Sequence, residues 1–315
     1  MITKIMDAHP DVCGPSPLHI LRVLGIDHYR YGDLSNKAVW NQLLDDVTAI
    51  LQSDFAKWAT NFSRDELAIM ADQGDLPTLL RAIFAKEARA NGKKIVFIKE
   101  LWAYQYLPFL DWCFPGCRFL YQVRDPRDMA LSWRTNEDHP GGLVRGARAW
   151  MQDQLQVMKS YGTHRNSGRA AIIRYEDLLT DPKMQLTKVC DLFGLEYTDE
   201  MLKYHENKLT RANAEKYKFW GNIGQELISD NFNKFKSLLT EKEIAIVERV
   251  CWGALQYFGY EATTPLEKIK AVSGAMIRDL EVHEAQNYKA RSSAVRVHDQ
   301  VQNRLRRSVA HCPGM

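Results

Sequence analysis

The sequence predicts an α/β protein in which a central parallel sheet is flanked by helices, giving three layers. Three β-prone runs support this prediction, at residues 95–98, 119–123 and 170–174. A helical pattern follows each run, and strands separated by a helix pair in parallel through a right-handed crossover. A helical insertion at residues 33–90 and a helical or disordered C-terminal tail complete the predicted fold.

The predicted domain organisation is one domain at residues 1–260 and a basic extension at residues 261–315. Within the insertion, leucines and aromatic residues recur at helical spacing, which indicates core packing rather than ligand binding. The extension is rich in arginine toward its end, with Arg291, Arg296, Arg304, Arg306 and Arg307. We interpret this end as a solvated helix or disordered tail, with a patch for an anionic partner as the alternative.

Composition and charge are those of a globular protein. The 315 residues are 45% hydrophobic and 26% charged, which allows a sizeable core and predicts a soluble chain. The net charge of +3 is mild and does not indicate nucleic-acid binding, although it suits an enzyme with an anionic substrate. No apolar run reaches about 18 residues and no signal-peptide pattern is present, so we expect no transmembrane helix. The six cysteines show no CxxC pair and no zinc spacing, which predicts free thiols, no metal site and a cytoplasmic location.

Residues 117–134 contain the most informative pattern in the chain. A β-prone run ends at Arg124, and Asp125-Pro126 then has the signature of a helix N-cap followed by a first-turn proline. The predicted helix begins at Pro126 and carries Ser132. Because side chains in the first turns point toward the helix N-terminus, Ser132 can face the same side as Arg124. A guanidinium, a hydroxyl and free helix amides together suit a dianionic phosphate.

This segment resembles the 3′-phosphate-binding motif of the sulfotransferases that use 3′-phosphoadenosine 5′-phosphosulfate (PAPS). In that family an Arg in an R-[DN]-P-[RK]-D setting and a Ser eight positions later hold the 3′-phosphate, and they correspond here to Arg124 and Ser132. The resemblance implies a fold like that of the P-loop NTPases. It extends over about residues 1–260 and is nearest to the carbohydrate and tyrosyl-protein branch.

Three further segments strengthen the resemblance. Residues 172–179 resemble the family's strand-YEDL-helix unit, which implies that Tyr175 lies beside the nucleotide. Residues 94–99 resemble a strand that ends in a lysine near the reacting sulfate, here Lys99. Asn233-Lys234-Phe235-Lys236 resembles the G-[RK]-W-[RK] loop, with Phe235 in place of tryptophan, and implies that Asn233 and Lys234 contact the donor.

One segment of the family pattern is absent from this sequence. Residues 7–12, DAHPDV, resemble the end of the helix that follows the phosphosulfate-binding loop, yet no P-R-S-G-T-T loop precedes them. Two explanations stay open. Either the protein starts upstream of Met1, which we favour, or it no longer binds the sulfate end of the donor. In either case we expect residues 1–315 alone to transfer sulfate poorly.

The catalytic base is left with two candidates. Lys99 is predicted to stabilise the charge of the departing bisphosphate. The positions at which other family branches place a base hold Leu101 and Pro15-Ser16 here, which leaves Glu100, next to Lys99, and His19, just past the Gly14–Pro17 loop. We expect His139, which precedes Pro140-Gly141-Gly142, to belong to a loop near the bound donor.

The predicted function is therefore transfer of a sulfuryl group from PAPS to a hydroxyl or amine of a small-molecule, carbohydrate, lipid or protein acceptor. PAPS is the only cofactor expected. The alternatives are an inactive relative that binds a nucleotide or a partner, and a nucleotide kinase of the same broad fold, which the absence of a lysine-bearing phosphate loop disfavours. The acceptor and the oligomeric state are not encoded in any pattern that we identify.

Overall fold

A computed structural model describes residues 1–135, 141–287 and 296–309. The strands of these residues are β1 (Val12–Cys13), β2 (Ile95–Val96), β3 (Phe119–Val123) and β4 (Ala170–Arg174). Their α-helices are α1 (Ile2–Asp7), α2 (Ile20–Asp27), α3 (Lys37–Leu51), α4 (Arg64–Ile69), α5 (Leu76–Ala90), α6 (Leu107–Cys113), α7 (Pro126–Thr135), α8 (Gly142–Asn166), α9 (Tyr175–Thr180), α10 (Pro182–Phe193), α11 (Lys208–Ala214), α12 (Phe235–Leu238), α13 (Glu241–Leu255), α14 (Leu266–Ala271), α15 (Gly274–Asn287) and α16 (Val297–Val309). Short 3₁₀ segments lie at His28–Tyr31, Ala103–Gln105, Asp199–Glu206, Lys218–Gly224 and Gln256–Phe258.

The chain divides into two compact units. Unit 1 comprises Met1–Cys117, Tyr197–Glu226 and Ala294–Met315, and unit 2 comprises Arg118–Glu196 and Leu227–Ser293. Among the described residues, each unit contains one pair of parallel strands. The predicted α/β class is confirmed, with the difference that the parallel strands form two pairs rather than one continuous sheet.

The strand pair of unit 1 joins β1 to β2, with Val12 opposite Ile95 and Cys13 opposite Val96. β1 was not predicted, and β2 ends two residues earlier than the predicted strand at 95–98. The ladder stops because Pro15 and Pro17 follow β1, and proline has no N–H to donate to a neighbouring strand. One further hydrogen bond, from the Phe97 amide to the Cys13 carbonyl (2.8 Å), closes the pair.

The predicted helical insertion at residues 33–90 contains α3, α4 and α5, all in unit 1. Helix α3 begins after Asn36, whose side chain accepts hydrogen bonds from the amides of Ala38 and Val39. Its buried apolar face consists of Trp40, Leu43, Leu44, Val47 and Ile50. This periodicity explains why the leucine and aromatic spacing of the sequence serves the core of unit 1.

The strand pair of unit 2 joins β3 to β4 at the predicted bounds. Their register runs from Phe119 opposite Ala170 to Val123 opposite Arg174. Because the strands are parallel and end together, the residues that follow them leave the same edge of the sheet. Helix α7 begins at Pro126, as predicted, and its buried face packs with α8 and α13 in a core that includes Val123, Leu131, Trp150, Phe235 and Val247.

Most of the described residues after 260 lie in three helices rather than in a disordered tail. α14 and α15 belong to unit 2, and α16 belongs to unit 1, where Val301 and Leu305 are buried. Arg291 lies outside the described residues. Within the ranges that the structure describes, no helix combines the length and apolarity needed to cross a membrane, and no group of three His, Cys, Asp or Glu residues could hold a metal ion.

Candidate functional site

The edge of the β3–β4 pair presents an arginine stacked on a tyrosine. Arg124 directly follows β3 and Tyr175 directly follows β4, and the guanidinium carbon lies 4.7 Å from the centre of the tyrosine ring. Asn231 joins both residues, because its carbonyl accepts from Arg124 Nη2 (3.3 Å) and its Nδ2 donates to the Tyr175 hydroxyl (2.8 Å). Burial raises the pKa of Tyr175, so its hydroxyl stays neutral.

Arg124 retains hydrogen-bonding capacity that no described residue uses. Among the described residues its buried Nε has no hydrogen-bond partner, and no carboxylate forms an ion pair with the guanidinium. A desolvated guanidinium N–H without an acceptor is costly, and an anionic oxygen would satisfy it. The arrangement around Arg124 therefore fits a phosphate group.

Ser132 lies on α7 in the same unit as Arg124. Its side chain is half-buried, and its hydroxyl makes no hydrogen bond to a described residue. The start of α7 has the predicted cap, since the Asp125 carboxylate accepts from the Arg127 amide (2.8 Å). Arg124 and Ser132 therefore lie on consecutive elements of one unit, and their joint binding of a phosphate stays a prediction.

A loop at residues 231–235 is fixed to the start of α7. The two oxygens of the Asp128 carboxylate accept from the amides of Asn233 (2.6 Å) and Phe235 (2.9 Å), and Asn233 has a φ of +59°. The side chains of Asn233 and Lys234 are exposed, so the contact of this loop with Arg124 is made by Asn231. Phe235 itself is fully buried beneath Arg127, whose guanidinium carbon lies 4.2 Å from the ring centre.

Unit 1 brings together the two candidates for the catalytic base. Nδ1 of His19 lies 3.0 Å from Oε2 of Glu100, and the other carboxylate oxygen accepts from the Leu21 amide (3.3 Å). Both side chains are only 6% exposed. His19 occupies the N-cap position of α2 with a φ of +63°, a left-handed conformation that is uncommon for a residue other than glycine. The sequence suggested alternatives, whereas the structure joins them in a histidine–carboxylate pair.

The electrostatics of this pair are set by burial. Burial lowers the pKa of His19, and the hydrogen bond and charge of Glu100 oppose this decrease. Burial also lowers the pKa of Lys99, although Lys99 keeps some solvent exposure and makes no hydrogen bond or ion pair with a described residue. Because β2 ends at Val96, Lys99 lies three residues beyond the strand rather than at its end.

Sequence reasoning missed three residues that these clusters use. Asn231 and Asp128 organise the surroundings of Arg124, and His298 packs against His19, with ring centres 4.9 Å apart. Asp128 stood inside the recognised motif, so the motif could have indicated it, whereas Asn231 has no local signature. His139 lies outside the described residues.

The sequence is similar to those of known sulfotransferases. Residues 1–199 match the model of a sulfotransferase family. Carbohydrate sulfotransferase 2 of Mus musculus is 28% identical over 111 residues, which are 35% of this chain and 21% of that protein. A putative protein-tyrosine sulfotransferase of Caenorhabditis briggsae is 20% identical over 217 residues, which are 65% of each chain.

The fold is shared with a solved structure. The sulfotransferase domain of the Synechococcus PCC 7002 olefin synthase is similar with a TM-score of 0.52 at 17% identity, covering 84% of this chain and 90% of that domain. The chain spans about a fifth of the length of carbohydrate sulfotransferase 2 and about two thirds of the nematode protein. Because the family model covers well over half of the residues, this chain belongs to the sulfotransferase family.

Proposed function

We propose that the protein transfers a sulfuryl group from PAPS to a hydroxyl or amine of an acceptor molecule. The observation that carries this proposal is the stacked arginine at the end of β3, whose buried Nε has no partner among the described residues. An arginine in this state is prepared for an anion rather than for an internal ion pair. Membership of the sulfotransferase family supports the choice of PAPS as that anion.

We assign donor recognition to unit 2. Arg124 and Ser132 would hold the 3′-phosphate, and Tyr175 would lie beside the nucleotide. Asn233 and Lys234 are exposed and available to a ligand. When bound, PAPS would supply the activated sulfuryl group, and these side chains would bind and orient it.

We assign proton abstraction to unit 1. If Nδ1–H of His19 donates to Glu100, the other ring nitrogen is free to accept a proton from the acceptor hydroxyl, and the carboxylate stabilises the imidazolium that results. The lowered pKa of His19 keeps the imidazole neutral near pH 7. Lys99 belongs to the same unit as His19, and we propose that it supplies positive charge during the reaction. The names of the relatives support a carbohydrate or protein acceptor.

Calorimetry with two nucleotides tests the donor assignment. Arg124→Ala should weaken binding of adenosine 3′,5′-bisphosphate by about 1.5–3 kcal/mol, the size of a lost charge-assisted contact, and barely affect adenosine 5′-monophosphate. Arg148→Ala is the matched control, because its guanidinium pairs with Glu281 at the surface of the same unit (2.7 Å). Equal losses for both nucleotides would mean that Arg124 only supports the fold.

Turnover distinguishes the enzyme from an inactive relative. The expected result is slow but detectable transfer of radiolabelled sulfate from PAPS to a panel of hydroxyl and amine acceptors, because no P-R-S-G-T-T loop orients the sulfate in residues 1–315. Binding of the bisphosphate with no transfer to any acceptor would contradict the enzymatic function and leave a nucleotide-binding protein.

A further inference from the structure

Helix α16 lies beyond residues 1–199, which the family model matches, and it docks on unit 1. Its apolar side chains Val301 and Leu305 are buried. Its polar side chains bond to residues of the N-terminal helical segments, through the contacts Asp299–Arg22 (2.8 Å), Gln302–Asp27 (2.8 Å), Arg306–Asp27 (3.2 Å) and Arg304–Asp46. Buried apolar contacts combined with four polar contacts fix the helix in one position.

The first turn of α16 places a second histidine against His19. The His298 ring meets the His19 ring edge-on, at 4.9 Å between ring centres and 70° between ring planes. Phe55 contacts both rings, at 5.6 Å from His19 and 5.0 Å from His298. His298 is 2% exposed and His19 is 5% exposed, so these rings form a buried aromatic wall.

The hydrogen bonds available to His298 favour its neutral form. Its Nδ1 is buried and has no hydrogen-bond partner among the described residues, and its Nε2 lies 3.6 Å from the Asp299 carboxylate, beyond hydrogen-bond distance. Burial, followed by the facing His19, lowers the pKa of His298. The charged groups that surround the two imidazoles are Glu100, Lys99, Arg22, Asp299 and Arg296. A protonated His298 would therefore be poorly solvated and would stand among several cations.

We propose that α16 supplies His298 as a positioning residue, whose ring shields His19 from water and holds it in the orientation that Glu100 sets. This inference rests on the proposed function of His19 as the base. It adds to the proposed site a helix that lies outside residues 1–199, the part of the chain that the family model matches. His298 acts through His19, and no contact of His298 with the substrate is needed.

The test is the pH dependence of kcat/KM for the full chain and for His298→Ala and His298→Phe. Alanine admits water to His19, so the pKa of His19 should rise toward its ordinary value, and the acid limb should move up by about 0.5–1 pH unit. Phenylalanine keeps a buried ring at this position, so its acid limb should stay near that of the wild type. The proposal would be overturned if the acid limb of the pH profile stayed at its wild-type position in both variants. It would also be overturned if the limb moved by the same amount in both.

Two additions keep this test independent of turnover and of folding. An NMR titration of the His19 ring reports the same shift even if the chain transfers no sulfate, so failure of the proposed function and failure of this inference can be told apart. If His298→Ala does not fold, the double variant Gln302→Ala/Arg306→Ala loosens the helix at Asp27 and should raise the His19 midpoint. Arg307→Ala, on the exposed side of α16, is the control and should leave it unchanged. A midpoint that stays unmoved in the double variant would contradict the proposal.

Discussion

Two clusters differ in how their charged groups are paired. One surrounds Arg124 in unit 2, and the other is the pair of His19 and Glu100 in unit 1. Arg124 stacks on a neutral ring and keeps a buried N–H for which no described residue provides an acceptor. His19 faces a carboxylate at 3.0 Å, so its hydrogen bond is complete within the protein. The first arrangement has unused binding capacity for an anion, and the second is already organised to accept a proton.

The same contrast exists between two arginines of one motif. Arg127 follows Arg124 by three residues, yet it is fully engaged: it pairs with Asp125 at 2.6 Å and with Glu248 at 2.7 Å. Its third contact is with the Glu261 carbonyl (3.0 Å). Two neighbouring guanidinium groups thus have different surroundings, because carboxylates neutralise Arg127 and no described carboxylate pairs with Arg124.

The largest expected effect comes from removing the side chain proposed to accept the proton. His19→Ala should lower kcat/KM by about 10²–10⁴-fold, the usual contribution of a general base, and change bisphosphate affinity little. Glu100→Gln keeps the imidazole but removes the charge that stabilises imidazolium, so a smaller loss is expected. Steady-state kinetics and calorimetry measure the two quantities separately.

A control histidine is available in the same unit. His28 is half-buried and bonds to the Leu24 carbonyl (2.8 Å), away from the Glu100 carboxylate. His28→Gln should keep both activity and affinity. Equal losses of activity in the His19 and His28 variants would show that the assay reports stability rather than proton transfer.

The second effect concerns the stability of unit 2. Arg127→Ala leaves the buried carboxylates of Asp125 and Glu248 without their cation, so the free energy of unfolding should fall by about 3–5 kcal/mol. Urea denaturation measures this fall. The exposed pair Arg148–Glu281 provides the control, since Arg148→Ala should cost less than about 1 kcal/mol. A loss for Arg127→Ala no larger than that of the control would contradict its structural role.

The two clusters also differ in how well the sequence predicts them. Arg124, Ser132 and Tyr175 lie beside two strands whose bounds follow from their β-prone runs, and parallel pairing alone brings residues 124 and 175 to one edge. The contact of His19 with Glu100 joins residues 81 positions apart. It depends on the short β1–β2 pair and on a left-handed backbone at His19, and neither has a sequence signature.

The sequence predicts the packing of α16 only in part. Its buried residues His298, Val301 and Leu305 recur at helical spacing, so an amphipathic helix could have been predicted. The surface that it covers could not, because Asp27 and Asp46 are distant in sequence and carry no pattern that names their partner. The arginines of this segment have the pattern of a solvated or disordered tail, yet Arg304 and Arg306 bond to those aspartates.

The smallest expected effect is on donor affinity, and it shows whether Tyr175 supports Arg124 through its ring or through its hydroxyl. Tyr175→Phe keeps the ring beneath Arg124 and removes only the hydrogen bond from Asn231 (2.8 Å). Bisphosphate affinity should therefore fall by no more than about 0.5–1.5 kcal/mol, the net value of one hydrogen bond. Tyr175→Ala removes the stacked ring as well and should cost more, since a cation–π contact is worth about 0.5–2 kcal/mol in addition. Calorimetry on both variants separates these contributions. If phenylalanine and alanine weaken binding equally, the ring does not hold Arg124 in place, and the hydroxyl and Asn231 must orient the guanidinium instead.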